Sequence, residues 1–320
     1  MVKSPDFMET SKDRGLGLAA ACVITLLWSG NFVAGKFATG VNGAPGLDPL
    51  LIASIRIFSA AAFFPLLLGR SDRQVLKRPG VWKEILPLGL AGIFANQFFF
   101  AAGIKLTTPS HSALVHALIP VFVLVIGWIF LRERTRPVKI VGVLLAIAGA
   151  SYVALAMSTA ERDRTLVGDA LTFAGALSFA AYIVIGRRVL QRMGSLPAVT
   201  AAFLVSVPFS VPFFAYAAWR QDWSAVPASA WLALGYMIVA ATFICYTLHM
   251  YALSKIGPLR IAVFTNLQPI LGTLIAEAFG EDKLTTEFAA CAVVVIAGVA
   301  MVQFTRDAAP ASLSGPSDST

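Results

Sequence analysis

Long uncharged runs separated by short polar segments dominate the chain. Runs of at least 20 residues without a charged side chain include Leu16–Gly35, Ile85–Ile104, Leu106–Leu131, Ile140–Ala160 and Met193–Trp219. A helix needs about 20 apolar residues, rising 1.5 Å each, to cross roughly 30 Å of hydrocarbon. The runs show no period-two alternation, so the pattern predicts membrane-spanning helices and not a β-barrel.

We predict an all-α membrane protein with ten transmembrane helices. The expected spans are 16–39, 49–69, 85–104, 109–131, 138–157, 168–189, 197–219, 230–253, 259–279 and 284–304. Residues 1–15 form a short basic tail. The first run continues through Asn31 and Lys36 without a small-residue cleavage site, which favours a retained span over a secretory signal. Residues 307–320 are rich in Ser, Pro, Ala and Gly and are predicted to be disordered.

Lys and Arg fall mostly on one side of the membrane when the N-terminus is placed in the cytoplasm. Two of the 25, Lys36 and Arg56, lie within spans. Five lie in outside segments: Lys105, Arg162, Arg164, Arg220 and Lys283. The other 18 lie inside, a strong positive-inside bias that requires an even number of spans. Both termini are therefore predicted to be cytoplasmic, and the net charge of +8 needs no nucleic-acid partner.

Residues Pro109–Gly149 recur at Pro258–Gly298 when the chain is shifted by 149 positions without a gap. An apolar composition makes Leu, Ile and Ala coincide by chance. Prolines, a glycine and an acid are harder to match that way, and the shift pairs Pro109 with Pro258, Pro120 with Pro269, Gly149 with Gly298 and Glu133 with Asp282. We infer a duplication, with one repeat at 16–157 and the other at 168–304.

Each repeat holds five predicted spans. Because five is odd, the second repeat should enter the membrane upside down relative to the first. The basic loop after Glu133 then lies inside, whereas the equivalent Glu281–Lys283 loop lies outside and has few basic residues. Inverted repeats are characteristic of secondary transporters, whose inward-open and outward-open shapes are related by the pseudo-symmetry.

The composition agrees with a membrane protein, since 58% of the residues are apolar and 13% are charged. Soluble domains carry about 25% charged residues. The three cysteines, Cys22, Cys245 and Cys291, all lie in apolar runs without CxxC spacing. We interpret them as buried apolar residues and not as a disulfide or metal site.

Three stretches resemble the drug/metabolite transporter superfamily, in its ten-span EamA-type branch. They are LLWSGNFVAGKF at Leu26–Phe37, PLLIASIR at Pro49–Arg56, and IPVFVLVIGWIFLRERTRPVKIVGVLLAIAG at Ile119–Gly149, which QPILGTLIAEAFGEDKLT at Gln268–Thr285 repeats in part. The resemblance implies transport of small metabolites, amino acids or drugs across the inner membrane, commonly as efflux. Small four-span relatives couple to protons through a glutamate in their first span. This first span has no acid, so proton coupling does not carry over.

Polar and aromatic residues within the spans are the candidates for the substrate pathway. A cavity with aromatic walls and a few polar groups suits an amphiphilic small molecule, and we expect about half of this set to line one. The alternative for each residue is to hold helices together. The set comprises Trp28, Asn31, Asn96, Gln97, Phe100, His116, Tyr182, Tyr246, His249, Asn266 and Gln268.

Two charged residues join these candidates. Arg56 lies about 10 Å inside its span at 1.5 Å per residue, where a charge costs at least about 2.5 kcal/mol. It should line the pathway or pair with an anion or acid, unless it extends to the outer interface. Glu277 is expected to be the only acid well inside a span, a coupling or substrate group or a partner for Lys36 or Arg56.

Pro120 and Pro269 are predicted to lie near the middle of spans four and nine. A helix-interior proline frees a carbonyl that could serve a ligand or allow bending, and a static kink is the alternative. Pro109 and Pro258 should begin their helices, where the missing N–H costs nothing. Gly142, Ala146 and Ala150 form a small-residue face expected to pack against another helix.

Other functional classes lack support in the sequence. GxxxxGK, GxSxG, HExxH and clustered Cys/His ligands are all missing, so we expect no cofactor, no metal and no enzyme activity. The hypothesis is a secondary transporter for a small organic solute. Export is favoured, uptake or exchange by the same fold is the alternative, and a membrane enzyme or sensor is the least supported. Coupling to protons or to the membrane potential and the oligomeric state stay open, a monomer being compatible with the sequence.

Overall fold

The computed structural model describes residues 11–41, 44–131, 136–155, 159–249, 251–252, 255, 264, 267–281 and 285–305, and within them it contains helices but no strand. The helices are α1 (Ser11–Thr39), α2 (Pro49–Leu67), α3 (Arg70–Leu76), α4 (Val81–Leu88), α5 (Asn96–Leu106), α6 (Pro109–His116), α7 (Ile119–Leu131), α8 (Pro137–Leu155), α9 (Thr159–Met193), α10 (Ser195–Arg220), α11 (Ala228–Ile238), α12 (Gln268–Ala278) and α13 (Thr286–Phe304). Two π-helical segments, Gly89–Ala95 and Val239–Ile244, follow α4 and α11.

Seven helical stretches in the described part of the chain are long and apolar enough to cross a membrane. They are Gly15–Thr39, Pro49–Leu67, Val81–Leu106, Pro109–Ile129, Thr165–Gly186, Ser195–Arg220 and Ala228–His249. Pro137–Gly149 and Thr286–Val302 are shorter apolar helices. The protein is thus an all-helical, multi-span membrane protein. Residues 259–263, 265 and 266 of the ninth predicted span lie outside the described residues.

The prolines expected to kink two helices from within stand at helix starts instead. The predicted fourth span is divided at Ala117–Leu118, and Pro120 is the second residue of α7. Pro269 is likewise the second residue of α12. A proline in the first helical turn loses no intrahelical bond, because that N–H has no partner in the helix anyway. Pro109 begins α6 as predicted, whereas Pro258 lies outside the described residues.

Two pairs of helices, one partner from each half of the chain, run antiparallel. In the α2–α10 pair, the Asp48 N–H donates to Gln221 Oε1 at 2.8 Å near one end. At the other end, the rings of Phe64 and Phe203 stack with centroids 5.5 Å apart. The order of contacts is reversed along the two helices, so α2 and α10 point in opposite directions.

The α8–α13 pair is joined by small residues. A Cβ on Gly142 would lie 2.6 Å from the carbonyl oxygen of Gly298, and a Cβ on Gly149 would lie 3.2 Å from that of Cys291. The backbones therefore approach so closely that only glycine fits at Gly142 and Gly298. This agrees with the predicted packing role of the Gly142 face, and the pair is again antiparallel.

The first helix of each half packs mainly against the other half. α1 contacts α11 and α12, while α9 contacts α5, α6 and α7. The α1–α11 contact is fixed by Tyr236, whose hydroxyl donates to the Leu27 carbonyl at 2.8 Å. The halves are therefore interlocked and do not lie side by side. The buried centre of the molecule forms between α1, α2, α5, α10 and the second π-helical segment.

Candidate functional site

The second π-helical segment is a meeting point for two polar side chains from the first half of the chain. Trp28 on α1 donates from Nε1 to the carbonyl of Ala241 at 3.0 Å. Arg56 on α2 donates to the neighbouring residue, Thr242, whose hydroxyl in turn donates to the Met237 carbonyl at 2.8 Å. A π-helical turn widens the helix and leaves backbone carbonyls open to such side chains.

Arg56 is buried, with 5% of its surface exposed. Its Nε lies 3.3 Å and its Nη2 3.1 Å from Thr242 Oγ1. The Tyr246 hydroxyl and the Cys245 thiol lie within electrostatic range of the guanidinium. The side chain is enclosed by helices and does not extend to the surface. It is a cation held inside the protein by neutral groups.

Aromatic rings meet around Tyr246, whose hydroxyl lies within electrostatic range of this cation. The Tyr246 ring lies 6.2 Å from that of Trp28 and 5.6 Å from that of Phe203. Phe64 lies 6.2 Å from the same tyrosine, and His249 lies 5.5 Å from Trp28. We call Trp28, Arg56, Phe64, Phe203, Thr242, Tyr246 and His249 the Arg56 cluster. It combines one buried charge with apolar walls.

His116, on α6, lies in a second aromatic group. This group contacts α1 at Phe32, four residues after Trp28. Its ring packs edge-on against Phe32 at 5.2 Å and against Phe100 at 5.5 Å. Its Nδ1 lies 2.9 Å from the Ser112 carbonyl, the usual acceptor one turn earlier in α6. Because Trp28 and Phe32 are i and i+4 on α1, they share a face, and the two aromatic groups are adjacent.

A buried carboxylate, Asp169 on α9, was missed by the sequence analysis. Its Oδ2 lies 3.0 Å from His111 Nδ1, and its Oδ1 accepts a hydrogen bond from the Thr107 hydroxyl. All three residues are buried. Asp169 occupies the first turn of its expected span, where acids commonly serve only the helix N-terminus.

Lys36 approaches the same place from α1. Its Nζ donates to the Thr107 carbonyl at 2.7 Å. Thr107 thus links Lys36 to Asp169. Its backbone carbonyl accepts from the Lys36 ammonium, and its hydroxyl donates to the Asp169 carboxylate. This network joins the end of α1, the end of α5 and the beginnings of α6 and of the apolar part of α9.

The remaining candidates are placed around these groups. Asn31 is buried, and its Oδ1 has no hydrogen-bond partner among the described residues. Asn96 donates to the Gly175 carbonyl at 3.0 Å, which holds α5 against α9. Tyr182 packs directly on the backbone of Gly92 in the first π-helical segment. Gln97 on α5 is also buried.

Two candidates lie further out, and one is not described. Gln268 is the first residue of α12 and half-buried, while Glu277 is exposed in the last turn of that helix. In the described part of the chain, Glu277 forms no ion pair with Arg56 or Lys36. Asn266 lies outside the described residues. Nor do three His, Cys, Asp or Glu residues come together as a metal site within the described ranges.

Comparisons with known proteins agree with the fold and with the membrane character of these helices. The model of the EamA-like transporter family matches residues 15–155 and again residues 166–304. The chain belongs to the EamA-like transporter family. A solved crystal structure of a protein that is 23% identical aligns with a TM-score of 0.60, covering 91% of this chain and 97% of that one. At that identity the likeness shows the fold alone.

Several curated relatives are named as transporters. The uncharacterized transporter YyaM of Bacillus subtilis (strain 168) is 26% identical over 79% of this chain and 83% of its own. An uncharacterized transporter of Archaeoglobus fulgidus is 26% identical over 86% and 92%. The uncharacterized inner membrane transporter YedA of Escherichia coli (strain K12) is 24% identical over 80% and 82%. Family and relatives together define a membrane transporter.

Proposed function

We propose that this protein is a secondary transporter that moves a small organic solute across the inner membrane by alternating access. In this proposal ten spans form two inverted five-helix repeats, with both termini in the cytoplasm. The observation that carries it is the pair of antiparallel contacts between equivalent helices of the two halves. Equivalent helices that run in opposite directions are what an inverted repeat requires.

The glycine contacts between α8 and α13, called here the α8–α13 seam, most directly support a pseudo-two-fold relation between the two halves. Gly142 contacts Gly298, and Gly149 contacts Cys291. In the 149-residue shift that relates the two halves, Gly142 corresponds to Cys291 and Gly149 corresponds to Gly298. The first contact is therefore converted into the second when the halves exchange roles, as expected at a pseudo-two-fold axis.

The π-helical segments follow the same exchange. Their first residues, Gly89 and Val239, are 150 positions apart. Ser206 on α10 donates to the Gly89 carbonyl at 3.0 Å, and Arg56 on α2 donates to Thr242. Each segment thus receives a hydrogen bond from the second span of the other half. Such turns are frequent at functional sites, and here both lie beside the aromatic groups.

The direction of transport is proposed from the family resemblance, which favours export. Uptake or exchange by the same fold is the alternative. The inner membrane is supported by the name of YedA and by the excess of Lys and Arg predicted on the cytoplasmic side. The buried aromatic and polar groups between α1, α2 and the second π-helical segment support a solute site near the membrane midplane.

Transport by the purified protein in liposomes tests this proposal. We expect protein-dependent movement of at least one radiolabelled solute from panels of amino acids, organic acids, amines and aromatic drugs. Liposomes without protein provide the background, and circular dichroism before and after reconstitution shows that the helices are intact. Loading the solute inside or outside oriented vesicles separates export from uptake. A folded protein that moves none of these solutes would contradict the proposal.

A further inference from the structure

Arg56 is the charged member of the Arg56 cluster, and the described residues around it supply no acid. Its hydrogen bonds within the described part of the chain both go to one neutral oxygen, Thr242 Oγ1. The guanidinium carries five N–H groups, of which Nε–H and one Nη2–H point to this hydroxyl. Both N–H groups of Nη1 and the second N–H of Nη2 have no acceptor among the described residues.

A buried cation with neutral partners is costly. Removing a charge from water without a counter-charge costs several kcal/mol, and one hydroxyl dipole offsets only a part of this. Asp169 is bonded to His111 and Thr107, and Glu277 is exposed. Asp169 is therefore already paired, and Glu277 lies outside the protein interior. The missing negative charge is best supplied by a ligand.

We propose that the solute is an organic carboxylate with an apolar, ring-sized body, and that Arg56 binds its carboxylate. This inference rests on the proposed transport function and names the substrate class of that site. The open Nη1 and Nη2 edge of a guanidinium matches the two oxygens of a carboxylate. Trp28, Phe64, Phe203 and Tyr246 provide the apolar walls on which a ring can stack.

A carboxylate fits this cluster better than a phosphate or an amine. A phosphate dianion calls for more than one cation, and the cluster contains a single one. Lys36 donates instead to the Thr107 carbonyl, in the network around Asp169. An ammonium group would meet a fixed positive charge without a carboxylate to offset it. One guanidinium with unpaired Nη1 and Nη2 N–H groups is the complement of a singly charged anion.

Binding of three probes that share a phenyl ring tests the charge preference. Phenylacetate carries a carboxylate, phenylacetamide is its neutral analogue, and phenethylamine is the cation. Each is titrated against the purified full-length protein in lipid nanodiscs by isothermal calorimetry. We expect phenylacetate to bind at least about tenfold more tightly than the other two, as a charged hydrogen bond of this kind implies.

Variants of Arg56 and of the exposed Arg78 distinguish a role of Arg56 in binding the carboxylate from the general effect of losing a positive charge. Arg56→Met should remove the preference for phenylacetate, and Arg56→Lys, which keeps the charge without the paired N–H groups, should reduce it. Arg78→Met makes the same change at an exposed position and should leave the preference intact. Circular dichroism of each variant checks the fold. If Arg56→Met is unfolded, Arg56→Lys decides.

The outcomes distinguish this inference from the transport proposal. Three results would each overturn it. The first is equal binding of the three probes, and the second is an unchanged preference for phenylacetate in Arg56→Lys and Arg56→Met. The third is no binding of phenylacetate at about 10 mM, a concentration far above a millimolar Kd. If the liposome assay finds only amines or neutral solutes moving, the substrate class is wrong while the transporter stands. If phenylacetate binds through Arg56 but no solute moves, the site stands and the transport proposal fails.

Discussion

The imidazole of His111 and the carboxylate of Asp169 lie 3.0 Å apart inside the helix bundle, although 58 positions separate them in the chain. The contact connects α6, from the first half of the chain, with α9, from the second. The Thr107 hydroxyl completes the set by donating to the other carboxylate oxygen. The sequence does not show that these three residues meet, because each of them stands near the end of an apolar run.

Removing the Asp169 carboxylate should destabilise the protein. Asp169→Ala leaves Thr107 and His111 buried without their acceptor, and breaking a buried pair in this way costs about 3 kcal/mol. Thermal unfolding in detergent measures the effect. His111→Ala should cost much less in the Asp169→Ala background than alone, since both changes remove the same interaction.

An exposed ion pair in the same protein provides the control. Arg192 and Glu84 lie 3.4 Å apart, with both side chains largely exposed. Glu84→Gln should change the free energy of unfolding by about 0.5 kcal/mol or less, because solvent screens such pairs. Equal losses for Asp169→Ala and Glu84→Gln would show that the buried network contributes no more than a surface pair.

Thr242 should stabilise the protein through its hydroxyl. Thr242→Val keeps the shape but removes the only described acceptor for Arg56, at a cost of about 1.5–3 kcal/mol for a hydrogen bond to a charged group. Thr242→Ser keeps the hydroxyl and should stay close to the parent protein. Melting temperatures of the two variants check this. A stable Thr242→Val protein would mean that Arg56 finds another acceptor.

The α8–α13 seam should not tolerate a methyl group. A Cβ on Gly298 would lie 2.5 Å from the Gly142 carbonyl oxygen, so Gly298→Ala must push the two backbones apart. We expect a loss of about 1–3 kcal/mol, typical of overpacking. Gly235→Ala on α11 is the matched control, because no atom lies within 4 Å of its added Cβ. It should be neutral or stabilising, as alanine favours helix.

Gly92 and Tyr182 should be energetically coupled. A Cβ on Gly92 would lie 2.1 Å from Tyr182 Cδ2, close to the rigid base of the ring. Gly92→Ala should therefore destabilise the contact between α9 and the first π-helical segment. In the Tyr182→Ala background the same change should cost less by at least about 0.5 kcal/mol. Additive losses in the double-mutant cycle would contradict direct contact.

Hydropathy predicted most of the fold, because a lipid environment requires each apolar run to hydrogen-bond its own backbone. Uncharged runs must be helical to satisfy their backbone, and the described spans follow those runs closely. The predicted site was partly brought together, since Trp28, Arg56, Tyr246 and His249 lie in one cluster. Glu277 is instead exposed. The sequence could not place it, since its depth depends on where α12 begins.

What the sequence missed depends on register and on long-range packing. A π-helical turn changes the hydrogen-bond register by one residue without altering the apolar pattern, so neither segment leaves a signal in hydropathy. Thr242, Phe64 and Phe203 matter through contacts across the bundle, which a single sequence does not reveal. Asp169 did leave a signal, as it is the one acid between Val167 and Gly186.

The glycine seam between α8 and α13 also limits how the two halves can move. Its backbones touch at Gly142 and Gly298, with bulkier residues on either side along each helix. Sliding one helix along the other by a residue would drive a side chain into the opposing backbone. The close backbone contact therefore resists sliding of α8 along α13.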